Sequence, residues 1–403
     1  MRRCRSASQN AGLCGEHRDR SVRIINSAGS FEPDTGPKER EIKSDDRVRV
    51  GTAGPAPTGS DREEVTVMAT EMGGGRLTRR CSLKIVDLFF ATALLVAGCG
   101  TGAASNGSFE RTYTVSGPIR LDLSNASGQI HIRGTAGNTV HIHGEVHARR
   151  FLFNNPAKQV RELSVNPPIE QRPDIIRVGK NFSDLNGVSV DYTIELPQNA
   201  EVSTKVASGS QTISNLQGPV KIDSASGTIE VSKIERSVQV NSASGSIRAQ
   251  DLGDDFHAST ASGNITATNV KGDVRIHGIS SSMSITGPGA RVEATTTSGS
   301  VEVSGAGSDV TASSVAGRVS VHGNPSGNSY WNLKTTSGTV EVGVPPTANF
   351  HLSAQAVSGD INAGIPIVIE DQDKHSLRAR VGNAGGRVEI HTVSGGIRVE
   401  PAS

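Results

Sequence analysis

The sequence predicts an all-β protein, a single-stranded β-solenoid (β-helix) with 18-residue coils and a β-rich N-terminal cap. Three observations predict it. Gly209, Gly227, Gly245 and Gly263 stand eighteen residues apart, and the frame passes through Ser281 to Gly299 and Gly317; repeats that share a frame share a conformation and stack. Around each glycine apolar and polar residues alternate with period two, the pattern of a strand with one buried face. Aromatic residues are 3% of the chain, which suits a thin core without room for large rings.

Residues 1–67 are polar, carry Pro and Gly, and lack periodicity, which reads as a disordered leader. A signal sequence does not work behind such a leader, so Met68 or Met72 is the more sensible start and the leader reads as a start-site artefact. Residues 68–99 read as a signal peptide: Arg76, Arg79, Arg80 and Lys84 precede an apolar stretch from Leu88 to Gly98, too short to span a membrane. The stretch closes on Leu95-Val96-Ala97-Gly98-Cys99, which resembles the lipobox of bacterial lipoproteins and makes Cys99 the candidate lipidation site. Gly100 lacks the acidic character that retains lipoproteins at an inner membrane, so the expected location is the outer membrane of a two-membrane cell. Cys4, Cys14 and Cys81 lie upstream, so a chain beginning at Cys99 would draw its stability from ladders and core rather than from a disulfide. Residues 100–108 read as a tether, 109–200 as the N-terminal β cap and 201–403 as the solenoid repeats.

In the cap the coil template appears once, around Gly128, followed by longer strands at Val140–Val146, Ile175–Val178 and Val188–Leu196. In the repeats the inward positions are seven and five residues before the glycine, as in Val220 and Ile222, and two and four after it, as in Ile229 and Val231. Ala207, Ala225, Ala243 and Ala261 read as small inward residues at a narrow corner. Gln211 breaks the inward rule, which a β-bulge at Ile213 would explain, and Ser281 implies a wider bend. The glycine itself implies φ > 0. Insertions at Gly323–Ser329 and Gly343–Phe350 leave Trp331, Leu333, Leu352 and Ala354 inward. Ile365–Ile369, the polar tip Glu370–His375 and Leu377–Val381 read as a hairpin, after which Val388, Ile390, Val393, Ile397 and Val399 restore the template around Gly395.

The formal charge of +1, with no basic run in the repeats, argues against nucleic acid as a partner. Catalysis on a solenoid face would need paired carboxylates or a metal cluster. The outward row three residues after the glycine reads Glu230, Arg248, Thr266, Ser284, Glu302, Ser320, and the row four before it reads Asp223, Asn241, Ser259, His277, Thr295, Ser313. Neither places two acids side by side, so the chain reads as a non-enzyme without a cofactor. His141, His143 and His147, with His131 on the preceding template coil, are weak metal candidates set against a polar, histidine-rich outer face. Tyr330 and Trp331 are weak binding candidates beside an inserted corner, although the frame turns Trp331 into the core.

The segments Ser226-Gly227-Thr228-Ile229-Glu230-Val231, Ser298-Gly299-Ser300-Val301-Glu302-Val303, Ser337-Gly338-Thr339-Val340-Glu341-Val342 and Ser394-Gly395-Gly396-Ile397-Arg398-Val399 resemble the repeats of the bacterial putative-adhesin domains, a family of unknown function. The lead-in Tyr192-Thr193-Ile194-Glu195-Leu196-Pro197 is similar to its opening strand, and the resemblance runs over roughly residues 108 to 400. It implies a β-solenoid in the cell envelope with a binding or scaffolding role, and it carries over no active site. The expected function is a non-enzymatic, surface-anchored envelope scaffold or adhesin-like binding protein, with the membrane as partner through its lipid anchor and an envelope polysaccharide or another envelope protein as ligand. The alternative from another class is a carbohydrate-active enzyme, a polysaccharide hydrolase or lyase on a β-helix.

Overall fold

The computed structural model describes residues 105–149, 155–179, 187–325, 327–383 and 385–402. The leader, the signal segment and Cys99 lie outside the described residues. Each eighteen-residue repeat folds as two short strands, one in each of two long sheets. In the coil of Gly227 these are β10 (Val220–Ser226) and β11 (Ile229–Ile234). β10 pairs in parallel with β8 (Glu201–Ser208) below and β12 (Val238–Ser244) above. Val220 faces Val238 and Ile222 faces Val240, so identical frame positions stack. Val220, Ile222, Ile229 and Val231 are 0–2% exposed; burying such a row stabilises each coil by roughly 1.5–3 kcal/mol per large side chain.

The corner glycines have backbone φ of +125° at Gly227, +135° at Gly245 and +124° at Gly263, the region that only glycine enters at little cost. A second constraint acts at the same atom. A Cβ on Gly245 would fall on the carbonyl oxygen of Gly227, and one on Gly227 would fall on that of Gly209. The corner ladder runs on regardless, with the Gly245 N–H donating to Ser262 O at 3.1 Å.

One residue of the template differs from the sequence expectation. Ala225, Ala243 and Ala261 are exposed and Ala207 is half-buried; the inward small residue is the one before each of them, Ser224, Ser242 and Thr260, which are 5–8% exposed. Strand alternation therefore holds through the third residue before the glycine, and in these coils the hydroxyl there finds a carbonyl. Ser242 Oγ donates to Ser244 O at 3.3 Å and Thr260 Oγ1 to Ser262 O at 3.0 Å.

Ser281 is explained by the same slot. Its coil has Gly278 where its neighbours have Thr260 and Thr296, and a Cβ on Gly278 would fall on Ser281 Oγ. The serine side chain, 3% exposed, turns into the space that the missing one leaves. Gly278 and Ser281 have exchanged sizes.

No bulge accounts for Gln211. β9 (Gln211–Leu216) pairs in register with β11, Gln211 opposite Ile229, and the side chain is 0% exposed. It stays inside because Thr204 Oγ1 donates to its Oε1 at 2.6 Å. A buried hydrogen-bonded pair stands where the template has two apolar residues.

A further row closes the second corner. Asn215, Lys233, Asp251 and Asn269 have φ of +62°, +56°, +55° and +55°, and the left-handed kink turns Leu216, Ile234, Leu252 and Val270 into the core at 1–2% exposure. Asn and Asp enter this region more easily than other side chains.

At the N-terminal end β1 (Ser105–Thr114) pairs antiparallel with β4 (Thr139–Ala148), so the strand takes up Ser105–Ser108 of the expected tether. The cap also contains a helix, α1 (Pro156–Val165), started by Asn155, whose Oδ1 accepts from the Lys158 N–H at 3.3 Å, and by proline in the first turn. Only Val160 of this helix is buried. At the other end β26 (Val368–Gln372) and β27 (Ser376–Val381) form the expected hairpin.

The size exchange at the corner gives a testable cycle. Gly278→Ser alone is expected to destabilise by about 1–3 kcal/mol through overpacking. Adding Ser281→Gly restores the template and recovers most of the loss, so the two effects do not add. Chemical denaturation of the four variants measures this, and additive losses would refute the shared slot.

Candidate functional site

Because the third residue before the corner is small at Ser224, Ser242, Thr260 and Gly278 and the residues on both sides of it point outward, a furrow runs along the 15-stranded sheet beside the glycine corner. It has a volume of about 840 Å³ and passes over five coils, from Lys205 and Ala207 to His277 and Ile279. Its floor is Ser224, Ser242 and Thr260; one wall is the row Asp223, Asn241, Ser259, and the other is Ala225, Ala243, Ala261. The polar wall is knitted across coils, Asn241 Nδ2 donating to Asp223 Oδ1 at 2.9 Å. The same frame position carries exposed Ile279 at the end of the furrow and, beyond it, Val315, Val393 and Val357, at 59, 50, 49 and 69% exposure, with Thr297 and Thr336 standing between them. Large aliphatic side chains repeated in one exposed row mark a contact surface.

Several outward carboxylates of the coils are paired with arginines. Arg248 lies 3.5 Å from Glu230, and Glu341 stands between Arg318 at 3.7 Å and Arg398 at 3.5 Å. Arg275 contacts Asp273 at 2.9 Å and Glu293 at 3.8 Å.

His141, His143 and His147 alternate with buried residues on β4 and share the outer face of the cap sheet. Each ring faces a carboxylate: His141 is 3.3 Å from Glu110, His143 is 3.5 Å from Glu145, and His147 is 3.4 Å from Asp191. Glu145 and Asp191 are cross-strand partners between β4 and β7 (Val188–Pro197). The spacing along β4 shows the histidines and Glu145, but Glu110 comes from β1 and Asp191 from β7, which local spacing does not reveal. His131 lies on β3 (Ile130–Thr135), separated from β4 by β7, so the fold does not bring it to the other three. Among the described residues no group of three or more His, Cys, Asp or Glu converges to hold a metal ion.

Trp331 is 0% exposed, stacked between Val310 and Val388, and its Nε1 donates to Ser308 O at 2.9 Å. It plugs the core below the inserted corner and presents no surface to a ligand. Tyr330 is 37% exposed, and its hydroxyl donates to Glu389 Oε2 at 2.6 Å. That hydrogen bond, with a smaller contribution from desolvation, raises the phenol above its ordinary pKa. Tyr192, buried in the cap, is raised by burial.

A raised folded-state pKa contributes stability that is full below the unfolded value and is lost as pH rises through the folded one. The stability difference between the wild type and Tyr330→Phe is therefore expected to be constant from neutral pH to the ordinary tyrosine range and to shrink above it. Denaturation midpoints against pH measure it; a difference that grows in alkali would contradict the Tyr330–Glu389 bond.

Residues 252–400 match the family model Toastrack DUF4097. Two solved structures align with 73% of this chain at 12% identity: a putative cell adhesion protein from Clostridium sporogenes, covered over 100% of its length with a TM-score of 0.18, and a putative adhesin from Bacteroides fragilis, covered over 98% with a TM-score of 0.27. Comparison with curated proteins gives no match. Among the described residues no helix is long and apolar enough to cross a membrane. The match over residues 252–400 makes these Ser-Gly coils similar to the Toastrack DUF4097 domains.

Proposed function

We propose that this chain is a non-enzymatic, adhesin-like binding protein or scaffold of the bacterial cell envelope. The observation that carries the reading is the furrow with its exposed aliphatic row. An elongated, mostly uncharged contact strip fits an extended ligand, an envelope polysaccharide or a segment of another envelope protein, better than a compact substrate. The acid on the furrow wall, Asp223, accepts from Asn241 Nδ2 at 2.9 Å and has no second acid beside it in the lining, which suits the face to contact rather than to proton transfer. The family match supports a Toastrack solenoid as the presenting scaffold.

Purified full-length protein tested against glycan arrays and against fractionated envelope proteins decides it. The double variant Ala243→Glu/Ile279→Glu places charge on the apolar wall at exposed positions and is expected to keep the fold while losing at least about tenfold in retention, the loss of roughly one buried apolar contact. Thr266→Lys, on the opposite sheet, is expected to bind as wild type. Equal binding by both variants would remove the furrow from the reading; no retention of the wild type on either class would remove the binding function.

The anchor belongs to the same proposal. Diacylated Cys99 supplies two chains, enough for stable membrane attachment where one is marginal. With β1 beginning at Ser105, few residues separate lipid from fold, so the cap end faces the bilayer. Cys99→Ser is expected to move the protein from the membrane to the soluble fraction; identical partitioning of mutant and wild type would exclude lipidation.

A further inference from the structure

The coils are not stacked in chain order. β22 (Tyr330–Ser337) and β23 (Val340–Val344) form one coil, and β24 (Phe350–Ser358) and β25 (Ile361–Ala363) form the next along the chain. Among the described residues no ladder joins these two coils. Between them sits a later coil, β28 (Gly386–Ser394) with β29 (Ile397–Pro401). Val388 faces Trp331 on one side and Leu352 on the other, Ile390 faces Leu333 and Ala354, and Ile397 faces Val340 and Ile361. All three inserted side chains are 0% exposed.

The hairpin β26–β27 is attached to the sheet through β24, with Phe350 opposite Val381 and Ala354 opposite Leu377. Strand pairing from residues 350–381 to the stack therefore runs through β28 and β29. The corner shows the same order: the Gly338 N–H donates to Ser394 O at 3.0 Å, and the Gly395 N–H donates to Ser358 O at 2.9 Å. Side-chain ties reach from the inserted coil to the stack, Glu389 to Tyr330 at 2.6 Å and Arg398 to Glu341 at 3.5 Å. On the cap side Asn349 accepts the Gly386 N–H on its carbonyl at 3.1 Å and the Asn383 N–H on its side chain at 2.8 Å, which joins the entry to the cap and the exit from it at one residue.

We infer that the inserted coil, residues 386–401, is a clasp that holds the cap formed by residues 350–381 on the solenoid. The coupling has a direction. When the clasp leaves, the cap loses its strand pairing to the stack and opens with it. When the cap leaves, the clasp keeps its ladders to β22 and β23 and both side-chain ties. The cap strands precede the clasp in the chain, so they dock only after it has formed, and until then the edges of β22 and β23 remain open to other strands.

Hydrogen exchange followed by mass spectrometry on the full chain tests this, because local opening is read segment by segment. Ile390→Ala, a cavity in the clasp, is expected to speed exchange about tenfold or more in both 386–401 and 350–381, with 220–321 unchanged. Leu352→Ala, a cavity in the cap, is expected to speed exchange in 350–381 alone. If Ile390→Ala opens 386–401 while 350–381 keeps wild-type protection, or if Leu352→Ala opens both segments equally, the clasp is overturned. Wild-type protein in graded denaturant gives an independent reading: 350–381 should never outlast 386–401, and slower exchange in 350–381 would overturn the inference without any variant.

Discussion

Most coils of this protein depend on one close approach, the Cα of the corner glycine against the carbonyl oxygen of the corner residue below it. Parallel ladders set neighbouring coils about 4.8 Å apart, and a corner must turn within that height. At Gly227, Gly245 and Gly263 no Cβ fits under the next carbonyl, and the backbone φ of +124° to +135° excludes one independently. Both conditions arise from the same geometry, so the glycine is required twice. The in-register stacking of Val220 on Val238 and of Ile229 on Ile247 follows, because a corner fixed in one coil fixes the start of the strand on each side in the next.

The furrow is a consequence of that corner. The strand that approaches the glycine has to narrow, and in most coils its last inward slot holds Ser or Thr, whose hydroxyl can satisfy a carbonyl that the turn leaves exposed. Thr335 Oγ1 donates to Gly317 O at 3.1 Å, and Ser314 Oγ donates to Gly299 O at 3.0 Å. Small inward residues flanked by outward ones produce a groove on the outer face without any side chain being selected to line it. What remains variable is the other wall, alanine at Ala225, Ala243 and Ala261, then Ile279, Thr297, Val315, Thr336, Val393 and Val357. The constraint of the fold supplies the shape of the contact strip, and the freely chosen wall supplies its chemistry.

The period of eighteen made the coil and four inward rows legible, because inward burial repeats at every turn and depends on local alternation alone. It did not show that the alanine before each Ser-Gly points outward. Small residues fit either face of a strand, and composition cannot separate them; the serine and threonine row decided it, since their hydroxyls had carbonyls to meet. The left-handed row Asn215, Lys233, Asp251, Asn269 was also visible as Asn and Asp in one frame position, continued by Gly287 and Gly305, but Lys233 obscured it. Gln211 was misread because a buried amide violates the pattern unless its partner is known, and Thr204 lies on the other sheet. The helix at Pro156–Val165 buries a single side chain, so it left no apolar period to detect. Of the candidate site, the polar row and the histidines were legible; Glu110 and Asp191, which face His141 and His147, come from other strands.

Coil order was not legible for a deeper reason. A parallel, in-register ladder reads the frame of a strand and not its place in the chain, so any template coil can pair with any other. The same rearrangement occurs at the opposite end, where β2 (Arg120–Ser127) with β3 lies between the later strands β6 (Ile175–Val178) with β7 and β8 with β9. Position in such a stack has to be specified by residues outside the repeat. At the N-terminal end Asn125 donates to Val190 O at 2.8 Å and Asp191 accepts the Gln129 N–H at 2.7 Å; at the other end Asn349, Tyr330 with Glu389, and Arg398 with Glu341 do the same. The uniform ladders supply most of the cohesion and are indifferent to order, while a few polar contacts supply little cohesion and decide it. A repeat protein built this way can seal both ends with its own coils because its interior pairing rule is so permissive.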